Sequence, residues 1–95
     1  MTMMLRLVET SNFKKDRKRL KKEGKDLSLL KAIIQTLQEQ KPLDKKYKDH
    51  KLKGNWKGFR ECHVESDWLL IYTVDKEKLI LTCSRTGSHS EILQL

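Results

Sequence analysis

The longest continuous apolar run in this sequence is the five-residue segment Trp68–Tyr72. Successive side chains of a β-strand point to opposite faces of the sheet, so Leu69 and Ile71 would occupy one face and Leu70 and Tyr72 the other. A strand that is apolar on both faces is buried on both. The run therefore predicts a central strand that is covered on its two sides.

Shorter runs around this segment also favour strands. Phe59–Val64 and Leu79–Ser84 are rich in β-branched or aromatic residues, and turn residues at Glu65–Asp67 and Asp75–Glu77 separate them from the central run. Together they predict an antiparallel meander. Near the N-terminus, Met3–Glu9 predicts one more short strand.

Helical patterns occupy the region between the first strand and the meander. Thr10–Asn12 supplies an N-cap for a basic helix that ends near Glu23, and Gly24 suits the left-handed cap that follows. Asp26 caps a second helix, which Pro42 ends. The second helix carries apolar residues at helical spacing: Leu27, Leu30, Ile33, Ile34 and Leu37.

A length of 95 residues predicts one domain over 1–95. The element order β-α-α-β-β-β is typical of an α+β domain with both helices on one face of the sheet, which leaves the other face as a working surface. The tail Arg85–Leu93 is expected to be a turn that leads into a brief helical or extended end. The sequence has neither a membrane-length apolar segment nor a signal-peptide pattern, so we expect a cytoplasmic protein without a membrane partner.

The net charge of +8 points to a polyanionic partner. Sixteen of the 21 basic residues form two clusters, which also allow the plainer interpretation of two solvated faces. The first cluster comprises Lys14, Lys15, Arg17, Lys18, Arg19, Lys21, Lys22 and Lys25. The second comprises Lys41, Lys45, Lys46, Lys48, Lys51, Lys53, Lys57 and Arg60. Clustering without matching acidic residues favours a nucleic-acid surface.

The chain has three histidines, His50, His63 and His89, and all lie in its C-terminal half at predicted turns or strand ends. Strand alternation places His63 on the open face of the sheet together with Glu61. Imidazole exchanges protons near neutral pH, so histidines at one sheet edge favour acid–base chemistry.

RNA cleavage needs a group that takes the proton from the 2′-OH, a group that protonates the leaving 5′-oxygen, and cations near the phosphate. The three histidines and Asp67 are candidates for the two proton transfers. Arg85, Arg60 or the lysines of segment 41–57, Lys53 among them, are candidates for the cations. No metal cofactor is required.

Other chemistry is less well supported. The histidine spacings match no zinc motif, and the many cations nearby oppose a divalent ion. Cys62 and Cys83 are expected to face the core, which argues against a cysteine nucleophile. Trp68 fits two interpretations equally well, a core residue or a platform on which a base stacks.

Residues 48–72 carry the motif K-D-H-x-L-x-G-x-W-K-G-x-R-E-x-H-V-x-x-D-W-L-L-I-Y, and residues 85–89 read R-T-G-S-H. This pattern resembles the YafQ-type toxins of the RelE/ParE toxin–antitoxin superfamily, and the resemblance covers essentially the whole chain. It implies a small mixed, mainly antiparallel sheet with a two-helix hairpin on one face. It further implies a metal-independent endoribonuclease that cleaves mRNA in the ribosomal A site.

The resemblance also implies partners and residue roles. The partners are the ribosome with its mRNA and a DinJ-like antitoxin, which would contact operator DNA on behalf of the pair. The functional positions fall on His50, His63, Asp67, Trp68 and His89, with Arg85 as a phosphate contact. His89 would be the general acid, and Asp67 or His50 the base. Leu93 stands where close relatives have an aromatic residue. A non-catalytic binding toxin and a ribosome-independent ribonuclease are the alternatives.

Overall fold

The computed structural model describes residues 3–93, and it contains one mixed sheet of five strands. The strands are β1 (Arg6–Glu9), β2 (His50–Lys51), β3 (Arg60–Glu65), β4 (Trp68–Asp75) and β5 (Ile80–Gly87). The α-helices are α1 (Ser11–Lys22), α2 (Leu27–Gln38) and α3 (His89–Ile92). Short 3-10 helices span Lys45–Tyr47 and Gly54–Trp56.

The sheet order is β1-β5-β4-β3-β2, so the apolar run Trp68–Tyr72 does lie in the central strand. β3, β4 and β5 form the predicted antiparallel meander. β1 pairs with β5 in parallel, which makes the sheet mixed. The predicted α+β fold is therefore confirmed, and the two-residue strand β2 is an addition to the predicted order.

The helix caps follow the sequence pattern. The side chain of Thr10 accepts a hydrogen bond from the Phe13 N–H at the start of α1, and Asp26 accepts one from Ser28 at the start of α2. Helix α2 ends at Gln38, earlier than the predicted stop at Pro42, because Gln40 adopts a positive φ of 57° that the helix cannot continue through.

The main hydrophobic core lies between the sheet and the helices α1 and α2. It includes Phe13 and Leu20 from α1, Ile33 from α2, and Leu70 and Leu81 from the sheet, all at most 2 % exposed. Cys62 and Cys83 are also fully buried there, as predicted. Burial raises the pKa of both thiols to about 12, so neither supplies a thiolate nucleophile near neutral pH.

The opposite face of the sheet is less open than the sequence predicts. Leu69 and Ile71 are fully buried there, and they pack in a second cluster with Ile92 of α3. Trp56 and Phe59 complete this cover in an edge-to-face pair with ring centroids 5.1 Å apart. The working surface is therefore confined to the part of this face on β2, β3 and the end of β5.

The chain tail differs from its prediction where it begins and agrees with it where it ends. Arg85–Gly87 belongs to strand β5 rather than to a turn, because these residues pair with Leu69–Ile71 of the central strand. The chain turns only at Ser88 and then forms the four-residue helix α3. Leu93 packs against the second cluster.

Candidate active site

Strand register places His50, Glu61, Ile71 and Arg85 in one row across the open face. His50 is opposite Glu61, Glu61 is opposite Ile71, and Ile71 is opposite Arg85. Cross-strand partners share a face and lie about 5 Å apart, so the row brings the histidine and the arginine toward the same surface. His50 and Arg85 are 35 positions apart in the sequence, so their closeness is evident only from the strand register.

A second row lies beside the first. His63 of β3 is opposite Leu69 of β4, which is opposite Gly87 of β5. A register shift follows between His63 and Glu65, and it ends the regular alternation that predicted the orientation of β3. His89 follows Gly87 after one residue, so it enters the site beside His63, with the two ring centroids 5.9 Å apart.

Helix α3 fixes the backbone of His89 through a capping box. The Ser88 hydroxyl accepts a hydrogen bond from the Glu91 N–H, and the Glu91 carboxylate accepts one from the Ser88 N–H. A carboxylate of Asp67, in the turn between β3 and β4, lies 3.3 Å from the His89 backbone nitrogen and 3.2 Å from its Nδ1. These hydrogen bonds, first the backbone one and then the ring one, lower the pKa of Asp67.

Glu61 is the centre of the site. Its side chain is only 4 % exposed, yet its carboxylate faces the Nε2 atoms of all three histidines. The distances from these Nε2 atoms to the nearer Glu61 oxygen are 3.4 Å for His50, 3.7 Å for His63 and 3.4 Å for His89. Glu61 Oε1 is buried without a hydrogen-bond partner among the described residues. Because an unpaired buried carboxylate is costly, this position indicates a functional group.

The second nitrogen of each ring is also near an oxygen. His50 Nδ1 lies 2.6 Å from the carbonyl oxygen of Lys48, and His63 Nδ1 lies 3.4 Å from that of Ser66. His89 differs, because both of its ring nitrogens face carboxylates, those of Asp67 and Glu61. The doubly protonated ring is the form of His89 that can donate to both.

The loop before His50 is fixed by hydrogen bonds to its last residue, Asp49. Asp49 accepts hydrogen bonds from the Tyr72 hydroxyl and from Arg60, whose Nη2 lies 2.9 Å from Asp49 Oδ2. Arg60 alternates with Glu61 along β3, so it starts from the face that packs against the helices. The prediction that Arg60 contacts substrate therefore does not fit the structure, because its guanidinium is engaged with Asp49 on the other side of the sheet.

Trp68 is a core residue, so the stacking interpretation does not fit the structure. Its side chain is 1 % exposed, which leaves no open ring face for a base. Its indole N–H donates to the Thr86 hydroxyl at 2.9 Å, and that hydroxyl donates to the Leu69 carbonyl. Lys53 is exposed just before the 3-10 helix Gly54–Trp56, and its contact with substrate stays a prediction.

Arg85 lies at the border of the site, but its guanidinium is paired with a residue outside the site. Its Nε and Nη2 atoms lie 2.7 and 3.1 Å from the carboxylate oxygens of Asp16, a buried residue of α1. The Asp16 pairing raises the pKa of Arg85 and holds its guanidinium in one orientation. Arg85 also lines a shallow groove with Trp56 and Phe59.

Most of the basic side chains point into solvent. In the first cluster only Arg17 and Arg19 are half-buried. Arg17 pairs with Glu9, and Arg19 pairs with Asp16 and Glu91. The exposed members are Lys14, Lys15, Lys18, Lys21, Lys22 and Lys25. All seven lysines of the second cluster are exposed as well. None of the helices within residues 3–93 is both long and apolar enough to cross a membrane.

One part of the site has the donor set of a metal centre. Glu61, His63 and His89 each offer a ligand atom, and these atoms lie within 4.8 Å of one another. Two imidazoles and a carboxylate suit zinc or copper better than magnesium.

The family of this chain follows from its agreement with a sequence model. The model of the YafQ bacterial toxins of type II toxin–antitoxin systems matches residues 5–94. The chain belongs to the YafQ family. The mRNA interferase toxin YafQ of Escherichia coli K12 is 41 % identical over 92 residues, which cover 95 % of this chain and 98 % of that protein.

Solved YafQ-family structures have the same fold. A metal-bound toxin from Helicobacter pylori superposes with a TM-score of 0.89 at 47 % identity, covering 94 % of this chain and 99 % of that one. YafQ in the Escherichia coli DinJ–YafQ toxin–antitoxin complex superposes with a TM-score of 0.84 at 37 % identity, covering 95 % and 98 %.

Sequence reasoning assigned no role to Glu61, Asp16 or Asp49 in this YafQ-family site. Alternation along β3 did place Glu61 on the same face as His63, and an acidic residue next to a candidate catalytic histidine was the one signal that could have indicated its role. Asp16 lies within a basic helix and Asp49 within a basic loop, where each looks like a solvated residue. Their partners are distant in sequence, so only the tertiary structure identifies them.

Proposed function

We propose that this chain is the toxin of a type II toxin–antitoxin system, an endoribonuclease that cleaves mRNA in the ribosomal A site without a metal ion. The observation that carries the proposal is the meeting of His50, His63 and His89 around the buried carboxylate of Glu61. The YafQ family and the curated mRNA interferase relative support the reaction class. The geometry supports the division of roles.

His89 is the general acid in this mechanism. Asp67 and Glu61 face its two ring nitrogens, so each N–H of a doubly protonated ring has a carboxylate acceptor. His89 gives its Nε2 proton to the 5′-oxygen as the bond from that oxygen to phosphorus breaks. The lowered pKa of Asp67 makes it a weak base near neutral pH, so Asp67 orients His89 rather than accepting the proton of the 2′-OH.

His50 is the general base. When its Nδ1–H donates to the Lys48 carbonyl, Nε2 carries the free electron pair. Nε2 takes the proton of the 2′-OH while the 2′-oxygen attacks phosphorus, which yields a 2′,3′-cyclic phosphate and a free 5′-OH. Glu61 Oε2, at 3.4 Å, then stabilises the imidazolium that forms.

The negative charge that develops on the phosphate lies between His63 and Arg85. His63 is the least exposed of the three histidines, and its ring lies between the rings of the other two. Arg85 reaches the same face by strand register. Cations held in fixed positions stabilise a transition state more than mobile ones do.

The two exposed lysine clusters are the surface that binds the ribosome. Each phosphate that a lysine neutralises releases counterions, so binding should weaken steeply as salt rises. A small domain has little surface with which to bend RNA for in-line attack. A decoding site that positions the mRNA would supply that orientation.

The partner that restrains the toxin is a DinJ-like antitoxin. The Escherichia coli relative is found in a complex with DinJ, and its YafQ superposes on 95 % of this chain. Operator DNA would be contacted by the antitoxin of the pair. The site of action would be the cytoplasm, where ribosomes and mRNA are found.

We further propose that Glu61, His63 and His89 can bind a divalent transition-metal ion, and that this ion inhibits cleavage. The close approach of their ligand atoms and the unpaired Glu61 oxygen support such binding. A metal-bound structure of the Helicobacter pylori relative exists. A bound ion would occupy the Nε2 atom from which His89 gives its proton.

Mapping of cleavage sites tests the main proposal. One mRNA is incubated with the protein as EDTA-treated free RNA and, in parallel, on programmed ribosomes. Cuts only on ribosomes, in register with the reading frame, are the expected result. Cuts on free RNA would indicate a ribosome-independent ribonuclease, and no cuts in either sample would indicate a binding toxin of the same fold.

A further inference from the structure

A buried ionic network joins helix α1 to the candidate site. Asp16 of α1 is 2 % exposed, and its carboxylate accepts hydrogen bonds from Arg85, Arg19 and the Thr86 backbone N–H. Burial by itself would raise the pKa of Asp16, but these three donors together lower it. The carboxylate is therefore charged and fully engaged under the conditions in which the toxin works.

Arg19 extends this network to the helix that carries His89. Its Nη1 lies 2.9 Å from Asp16, its Nη2 donates to the Thr86 carbonyl at 3.3 Å, and its Nε lies 3.1 Å from Glu91. Glu91 is the residue that closes the capping box with Ser88. One guanidinium thus contacts α1, the end of β5 and the first turn of α3.

Gly87 allows this close approach. A Cβ atom at Gly87 would lie 2.6 Å from Arg19 Nη2 and 3.2 Å from Glu91 Oε1, so a side chain there would displace the guanidinium. The φ angle of 149° is also one that other residues rarely adopt. Arg19 therefore rests against bare backbone at the point where the chain turns from β5 into α3.

We propose that Asp16 and Arg19 are positioning residues of the toxin: Asp16 orients the Arg85 guanidinium, and Arg19 orients the α3 turn that presents His89. This inference rests on the proposed function, and it assigns to the buried side of α1 a role distinct from that of its exposed lysines. Two fixed nitrogens on Asp16 leave Arg85 Nη1 as the atom with no hydrogen-bond partner in the described structure. Nη1 is then the atom that contacts the phosphate.

Helix α1 offers a matched control. Arg17 and Arg19 have side chains 37 % and 34 % exposed, and each pairs with a glutamate outside the helix. Arg17 pairs with Glu9 of β1, the edge strand opposite to β2, which carries His50. R17Q and R19Q therefore remove the same charge from the same helix, but R19Q also removes the contacts with Asp16, Thr86 and Glu91.

The experiment measures kcat and KM for cleavage on programmed ribosomes, with thermal unfolding of every variant. We expect R19Q to lower kcat about 10- to 100-fold with little change in KM, since small displacements of reacting groups are costly. R17Q should keep the wild-type kcat. R19K should recover part of the loss, because an ammonium can still pair with Asp16.

The possible outcomes separate this proposal from the one it rests on. Equal kcat values for R19Q and R17Q would overturn the positioning role, and so would a loss in R19Q that appears in KM alone. If R19Q does not fold, E91Q replaces it as the test variant, because Glu91 lies at the surface. The glutamine amide can still accept the capping hydrogen bond from Ser88, but it loses the charge that faces Arg19. An unchanged kcat in E91Q would count against the proposal. Failure of the wild-type protein to cleave would instead refute the proposed function.

Discussion

Glu61 Oε1 lies 3.4 Å from His89 Nε2, although the two residues belong to elements far apart in the chain. The same carboxylate faces His50 through its other oxygen. One buried charge thus serves both the group proposed to give a proton and the group proposed to take one. In the proposed mechanism His50 holds the extra proton after cleavage and His89 lacks one, and the Glu61 carboxylate faces both rings.

Replacement of His89 should remove cleavage and leave binding in place. His89→Ala deletes the proposed general acid, and one proton transfer contributes about 10²–10⁴-fold to a rate. We expect a loss of that size in cleavage on programmed ribosomes, with co-sedimentation of the variant and ribosomes unchanged. A variant that stayed fully toxic in cells would show the acid–base mechanism to be wrong.

Replacement of Glu61 should separate activity from stability. Glu61→Gln keeps the shape of the side chain but removes the charge that stabilises two imidazolium rings, so cleavage should fall at least about tenfold. Thermal stability should hold or rise, because a buried carboxylate with an unpaired oxygen is itself unfavourable.

Glu65→Gln provides the control for this substitution. Glu65 lies at the exposed end of the same strand, and within residues 3–93 its one ion pair is with Lys25 at 4.0 Å. The chemical change is the same, and no histidine loses a partner. Equal cleavage by the Glu61 and Glu65 variants would contradict the central role of Glu61.

Zinc or copper ions should inhibit cleavage, and EDTA should restore it. The expected ligands are Glu61, His63 and His89. Calorimetry should detect binding of Zn²⁺ to the wild-type protein and much weaker binding to His63→Gln, while Mg²⁺ should bind neither. Undiminished Zn²⁺ affinity in the His63 variant would place the metal elsewhere.

Acid should destabilise the fold partly through Asp16. Its folded-state pKa is below the ordinary value of 3.8, so the ionised carboxylate contributes stability above that pH, and the contribution is lost as the pH falls through the folded-state pKa. Urea unfolding of the wild type and Asp16→Asn at pH 7 and near pH 3 measures this. The free energy of unfolding should fall more on acidification in the wild type, and parallel losses would exclude Asp16 as a source.

Trp68→Phe should act on stability rather than on RNA binding. The substitution removes the indole N–H that donates to Thr86 and leaves a buried hydroxyl with one partner fewer, at a cost of about 1–3 kcal/mol. Chemical denaturation should detect this loss. Cleavage per folded molecule should match the wild type, and a selective rise in KM would instead support a base-stacking role.

The sequence by itself determined the elements and the character of the surfaces. The apolar run Trp68–Tyr72 predicted a strand buried on both faces, and the caps at Thr10 and Asp26 predicted the helix starts. Alternation along β3 correctly paired Glu61 with His63 on one face. These are short-range properties, because neighbouring residues and the periods of helix and strand decide them.

Tertiary structure decided which of the candidate residues share a site. Arg60 and Arg85 are both arginines near candidate histidines in the sequence, yet Arg60 is paired with Asp49 on the helix side. Strand register places Arg85 opposite Ile71 on the open face, where its guanidinium borders the site while it pairs with Asp16 of α1. Trp68 is a core residue, and its indole N–H donates a hydrogen bond to the Thr86 hydroxyl. The role of Glu61 likewise depends on strand register and on the turn that returns His89 to the sheet, since contacts between distant residues form only when packing brings their elements together.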